Sequence, residues 1–182
     1  MKVVFYDINL INLKRYIHDI VDNLILKNGV EVVLMYDEFD KEGYDFYKNK
    51  KCTMIKNTFY TYKSVYEQIE TISPNIFMVN AQRLSDSAFI SVAKELGIKT
   101  GMIQHGMYTG FAKRERFFFI QRVFKTFKYL MYSQVVATAI KMNGFDVFKK
   151  YLKTFVKGET YKDVIDFTDM INSDFVLVHG EY

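Results

Sequence analysis

The sequence has no tryptophan, a single proline (Pro74) and a single cysteine (Cys52) in 182 residues. One cysteine excludes an internal disulfide and a thiolate metal cluster within one chain, and it fits a reducing compartment. One proline excludes a Pro-rich linker, and no low-complexity tract or internal repeat is present. No uncharged apolar run approaches the roughly 18 residues that a spanning helix needs. Met1-Lys2 leads straight into Val3-Val4-Phe5-Tyr6, with neither a long apolar h-region nor a small-residue cleavage site. The expectation is therefore a cytoplasmic protein without a signal peptide. Several catalytic signatures are also missing. The first apolar run is followed by Asp7-Ile8-Asn9-Leu10 rather than G-x-G-x-x-G, and no G-x-x-x-x-G-K-[ST], H-E-x-x-H, C-x-x-C or G-x-S-x-G occurs. Those absences argue against an ordinary dinucleotide, P-loop, zincin or nucleophile-elbow site. Three scattered histidines and one cysteine argue against a bound metal.

What is present describes one folded domain. Apolar residues make up 49% of the chain, enough for a core, and the length suits a single domain. Residues 3–6 form a short apolar run, read as a buried strand. Asp7 and Asn9 follow as helix caps. Leu13, Ile17, Ile20, Val21 and Leu24 then recur at helical spacing, with Gly29 placed to end the helix in the left-handed conformation. Residues 30–36 read as the second strand, so the chain opens as strand, helix, strand, the unit of a parallel sheet.

Residues 37–50 read as a loop or short helix and 53–55 as a short third strand. Residues 61–72 read as a helix. Strand 76–79 follows Pro74, then helix 85–96 with Gly97 as its stop signal, then strand 99–104. Residues 114–142 break the rhythm as a long helix. Its apolar side is Phe117, Ile120, Phe124, Phe127, Met131 and Val135, and Arg122, Lys125 and Lys128 lie opposite. Mixed helical material covers 145–172, and 175–178 form a last strand. The fold class is α/β, a Rossmann-like three-layer domain with a mostly parallel sheet.

In such sheets ligands bind beyond the carboxyl ends of the strands. The candidates there are Asp7, Asn9, Asn80, Gln82, Arg83, Gln104, His105, Gly106 and, at the last strand, His179. His105 and His179 both precede glycine, which lets the backbone turn just after the side chain. An imidazole there serves as a general base or as a donor to phosphate; the plain alternative is a strand-end histidine that orders its loop. His18 reads as a surface residue.

Charge is distributed unevenly. Residues 111–162 hold 12 Lys and Arg against 3 Asp and Glu, and the remainder holds 13 against 18. A local basic surface implies a local anionic partner or a solvated face. With Phe117-Phe118-Phe119 beside it, the basic helix matches a segment lying on an anionic membrane or one packing on its own sheet with lysines outward. Single-stranded nucleic acid is disfavoured, because the pattern is helical rather than a stacking platform.

At Lys99-Thr100-Gly101-Met102-Ile103-Gln104-His105-Gly106, preceded by the helix end Lys94-Glu95-Leu96-Gly97-Ile98, the chain resembles the N-terminal domains of GT-B glycosyltransferases of bacterial surface polysaccharide synthesis. Similar strings occur in teichoic acid glycerophosphotransferases and non-hydrolysing sugar-nucleotide epimerases. The resemblance implies the first half of a GT-B architecture: residues 1–182 as the acceptor-side domain, with a C-terminal donor-binding domain absent. It implies a nucleotide-sugar donor held by that missing domain, no cofactor in this one, and a carbohydrate or lipid-linked acceptor. His105 occupies the position of the catalytic base. The isolated chain is then expected to be inactive. A final strand followed at once by the chain end reads either as an edge strand or as the end of a piece of a longer protein, the second being favoured. A non-catalytic Rossmann-like binding module is the alternative.

Overall fold

The computed structural model describes residues 1–58, 60–81, 83–105, 119–157 and 172–179; the side chains of 104–105, 119–125, 151–157 and 178–179 lie outside that description. The elements in chain order are β1 (Lys2–Asn9), α1 (Leu10–Ile25), β2 (Glu31–Glu38), α2 (Lys41–Tyr47), β3 (Thr53–Lys56), α3 (Tyr62–Ile72), β4 (Ile76–Val79), α4 (Leu84–Glu95), β5 (Lys99–His105), α5 (Phe119–Ala139), α6 (Gly144–Lys157) and β6 (Phe175–His179). The six strands form one sheet in the order β3-β2-β1-β4-β5-β6, and every strand pair is parallel. This is a Rossmann-like α/β fold.

The apolar runs are continuous because both faces of the sheet are covered. On β1, Val3 and Phe5 face one core, with Leu10, Leu13, Ile17 and Val21 of α1 and Tyr47 of α2. Val4 and Tyr6 face the other, with Val65 and Ile69 of α3, the apolar residues of α4, and Tyr132, Val135 and Val136 of α5. The strand order explains the division. The chain steps from β1 toward β3 and then returns to the far side of β1, so right-handed crossovers put α1 and α2 on one face and α3, α4 and α5 on the other.

Local signals set the element ends. Asn9 caps α1, its Oδ1 accepting from the Asn12 N–H at 3.1 Å. Asp7 does not cap, because β1 runs on to Asn9. The helix ends at Ile25, and Gly29 (φ +79°) turns the chain into β2 a few residues later. The region expected as loop or short helix contains α2, and its Gly43 has no room for a side chain. A Cβ there would lie 2.5 Å from backbone atoms of Leu10 and Ile11, so α2 seats directly on the start of α1. At the far edge, Asp174 holds β6 to its neighbours. Its Oδ2 accepts from the Thr100 N–H at 2.7 Å and the Thr100 hydroxyl at 3.0 Å, and its Oδ1 pairs with Lys94 Nζ at 2.9 Å.

Packing of the long helix on its sheet with lysines outward does not hold in the described part. Phe127, which that reading places inside and the membrane reading outside, is 62% exposed. Lys128, expected outside, points inward to an acidic pair described below. The buried stripe of α5 is Tyr132, Val135, Val136 and Ala139, and Lys128 lies one turn before Tyr132 on that same side. No described helix is long and apolar enough to cross a membrane.

One buried group is left without a partner. The Tyr47 ring is fully buried beside α1, and among the described residues its hydroxyl has no hydrogen bond. Burial pushes its phenol well up. A buried hydroxyl without a partner costs about 1–3 kcal/mol. Tyr47→Phe is therefore expected to raise the urea midpoint, by about 1 kcal/mol in stability. A fall in the midpoint would show that the hydroxyl is used.

Candidate functional site

Parallel strands bring all their carboxyl ends to one rim. The switch point, where sequential neighbours part, lies between β1 and β4; open α/β sheets bind ligands at such a crevice. Tyr6 pairs in register with Val79, the last residue of β4, so Asn80 leaves the sheet beside Asp7, which is still paired with β2. Val79 pairs with Met102, and His105 pairs with His179 further along the same rim.

Asp7 is buried and accepts four hydrogen bonds. Its Oδ1 takes the Ile8 N–H at 2.6 Å, Asn12 Nδ2 at 2.8 Å and Arg83 Nη1 at 3.1 Å. Its Oδ2 takes Asn80 Nδ2 at 3.0 Å. Arg83 then reaches Asp86 with Nε at 2.8 Å and Nη2 at 3.1 Å. The Asp86 carboxylate also accepts from the Arg83 N–H at 2.7 Å, which caps α4. Burial raises the Asp86 carboxyl, with Arg83 opposing. Burial works against the charge on Arg83, but Asp86 and Asp7 outweigh it and hold the guanidinium protonated. Two carboxylates thus share one cation at the switch point.

The start of α1 offers no free anion position at Ile11 or Asn12. The Ile11 N–H donates to Asp40 Oδ2 at 3.1 Å and the Asn12 N–H to Asn9. In dinucleotide folds a pyrophosphate takes such N–H groups; here the chain's own side chains do, with Asp40 also capping α2 through Gly43 at 2.6 Å. The absence of a glycine-rich turn in the sequence thus has a structural counterpart.

A second cluster lies at the carboxyl end of β2, on the opposite face. The Asp37 side chain is fully buried. Its Oδ2 accepts from Tyr132 Oη at 2.6 Å and Tyr6 Oη at 3.1 Å, and pairs with Lys128 Nζ at 3.2 Å. Its Oδ1 accepts from Asn57 Nδ2 at 3.3 Å. Lys128 also meets Glu38 at 3.3 Å and stands over the Tyr60 ring at 5.1 Å. Burial, then the carboxylates Asp37 and Asp86, drive the Tyr6 phenol far up. Tyr132 is raised by burial, then by Tyr6 and Asp37. Burial opposes the charge on Lys128, and Asp37 more than restores it. Both phenols are thus fixed as neutral donors, which suits bracing rather than proton transfer.

Of the sequence candidates, Asp7, Asn80 and Arg83 come together in one network, and Asn9 stands beside it as the cap of α1. Gln104 and His105 are placed as the last residues of β5, with their side chains outside the described set; Gln82 and Gly106 lie outside it entirely. Arg122 and Lys125 belong to α5, but their side chains are likewise outside the description. Lys128 belongs to the Asp37 cluster. His18 is half exposed beside Asp19, at 3.1 Å. Sequence reasoning missed Asp37, Asp86 and Asn12. Asp37 could have been found by the rule that found Asp7, because it follows the apolar run of β2. Asp86 could have been found as a carboxylate three residues after a helix start. In comparison with known proteins, no family model and no curated protein sequence matches this chain.

Proposed function

We propose that this chain is the acceptor-side domain of a GT-B glycosyltransferase, which moves a sugar from a nucleotide-sugar donor to a hydroxyl acceptor in surface polysaccharide synthesis. The observation that carries the reading is the switch point. Asp7, Asn80, Arg83 and Asn12 are interlinked there, on the rim where β5 and β6 end in paired histidines. Asp7, Asn80 and Asp86 are buried and bonded to one another directly or through Arg83, so they brace the floor of such a crevice rather than contact the sugar. Occupied N–H groups at the start of α1 suit the absence of a phosphate there. The donor's diphosphate then belongs to a second domain facing this rim.

In the proposed reaction the acceptor oxygen attacks the anomeric carbon, and its proton passes to the imidazole of His105. The bond from the anomeric carbon to the phosphate oxygen breaks, and the nucleotide diphosphate leaves with that electron pair. The Asp7 and Arg83 network fixes the shape of the crevice.

The test uses the native-length protein, expected to carry a second α/β domain, with nucleotide sugars and product analysis. Transfer to a hydroxyl acceptor supports the proposal. Epimerised sugar nucleotide or a transferred glycerophosphate assigns the fold to a related enzyme, and no turnover with a single-domain native protein assigns it to a binding module. His105→Ala is expected to lower turnover by about tenfold or more at unchanged urea stability. Unaltered turnover removes His105 from the mechanism.

A further inference from the structure

We propose that the α5–α6 hairpin is a docking surface for an anionic lipid bilayer, with the apolar side of α5 and the start of α6 entering the headgroup region. The proposal stands independently of the transferase reading. It begins from the reversal in α5. A helix that packed its main apolar stripe on the body would show Phe127 and Leu130 buried. Instead the inward side carries Lys128 and Tyr132, committed to Asp37, and Phe127 and Leu130 are exposed.

The turn into α6 adds Met142 and Phe145, the latter 65% exposed. Isolated exposed apolar residues are ordinary. Here four large exposed apolar residues, Phe127, Leu130, Met142 and Phe145, follow one another along α5, the turn and the start of α6, and such a group is a candidate contact surface.

Charge selects the occupant. From Phe119 to Lys157 there are eight Lys and Arg and one acidic residue, Asp146. Lys128 is consumed internally by Asp37 and Glu38. Lys141 and Lys149 are exposed close to Met142 and Phe145 in the chain. Large apolar groups beside basic ones match a bilayer whose surface carries phosphate and whose boundary accepts aromatic rings. A second copy of this surface would bring like charges together, which disfavours a symmetric dimer through the same hairpin. The helices lie on the bilayer rather than cross it, because no described helix meets the length and hydropathy that crossing needs.

The experiment is flotation of the full chain with phosphatidylcholine vesicles, with and without phosphatidylglycerol, at low and high salt. Wild type is expected to float with the anionic vesicles, and to do so less at high salt. Lys141→Glu with Lys149→Glu is expected to lower that partitioning about tenfold or more. Phe127→Ser with Phe145→Ser is expected to lower it comparably while leaving the urea midpoint near wild type, since both rings are already exposed. Wild type remaining with the unbound protein overturns the proposal, as does equal flotation of the wild type and both variants. Light scattering that shows a dimer lost in the phenylalanine variant overturns it in favour of a second copy.

Discussion

Replacing Arg83 by methionine is expected to cost about 3–5 kcal/mol of folding stability near neutral pH, the penalty for removing one partner of a buried ion pair. Asp86 is fully buried and Asp7 nearly so, and the Arg83 side chain supplies three of the hydrogen bonds that the two carboxylates receive. Without the guanidinium both charges face a low-dielectric surrounding, and the Asp86 carboxyl, already raised by burial, loses the cation that opposes that rise. Asp86 is already raised by burial; a carboxyl raised further in the folded state contributes stability at low pH that is lost as pH rises through its folded value. The stability gap between the variant and wild type should therefore be widest at neutral pH and narrow as pH falls toward the ordinary carboxylate range. Urea titrations of both proteins at several pH values measure this. A gap below about 1 kcal/mol at neutral pH would mean that solvent, not Arg83, neutralises the pair.

Lys128→Met is the second large effect, expected at about 3 kcal/mol. It removes the one cation that contacts the buried Asp37 among the described residues. Two phenol hydroxyls and an amide remain on that carboxylate, so the loss should be somewhat smaller than at Arg83. Tyr132→Phe, which removes the 2.6 Å bond, should cost about 1.5–3 kcal/mol. The informative comparison is the double variant Asp37→Leu with Lys128→Met. Replacing both members of a buried pair is often neutral, so the double variant should be more stable than Lys128→Met alone. If the single costs merely add, the two residues do not interact. Amide exchange in α5 should quicken in Lys128→Met, because this cluster ties the helix to the end of β2.

The parallel sheet was legible in the sequence because its signals are local. Residues 3–6, 30–36, 76–79 and 99–104 are short apolar runs set between helical periods and turn residues, and each lies in or overlaps a strand of the sheet. The helix at Leu13, Ile17 and Val21 was legible for the same reason, as its spacing alone defines a buried side. The rim positions of Asp7, Asn80 and Arg83 followed from those strand ends. Their partnership did not, because Asp7 and Arg83 are far apart in the chain and meet only through the crossover from β3 to β4.

The long helix is the instructive failure. Its apolar stripe obeyed the helical period, and period alone assigned Phe127 inward and Lys128 outward. The buried carboxylate of Asp37 outweighed that pattern. An isolated charge in a core is so costly that a cation and hydroxyl donors are drawn to it, and Tyr132 and Lys128, one turn apart, supply them. Burying Phe127 instead would have gained about 1.5–3 kcal/mol, less than leaving Asp37 unpaired would have cost.

The sequence by itself determined the α/β class, the parallel strands, the start of α1 and the absence of a glycine-rich phosphate loop, since runs, caps and spacings act within a few residues. Only the tertiary structure decided which carboxylates share which cations, that the start of α1 is closed by Asp40, and which side of α5 faces the body. Those outcomes depend on the neighbours that distant segments bring together, and burial makes the pairing of charge stronger than the local pattern.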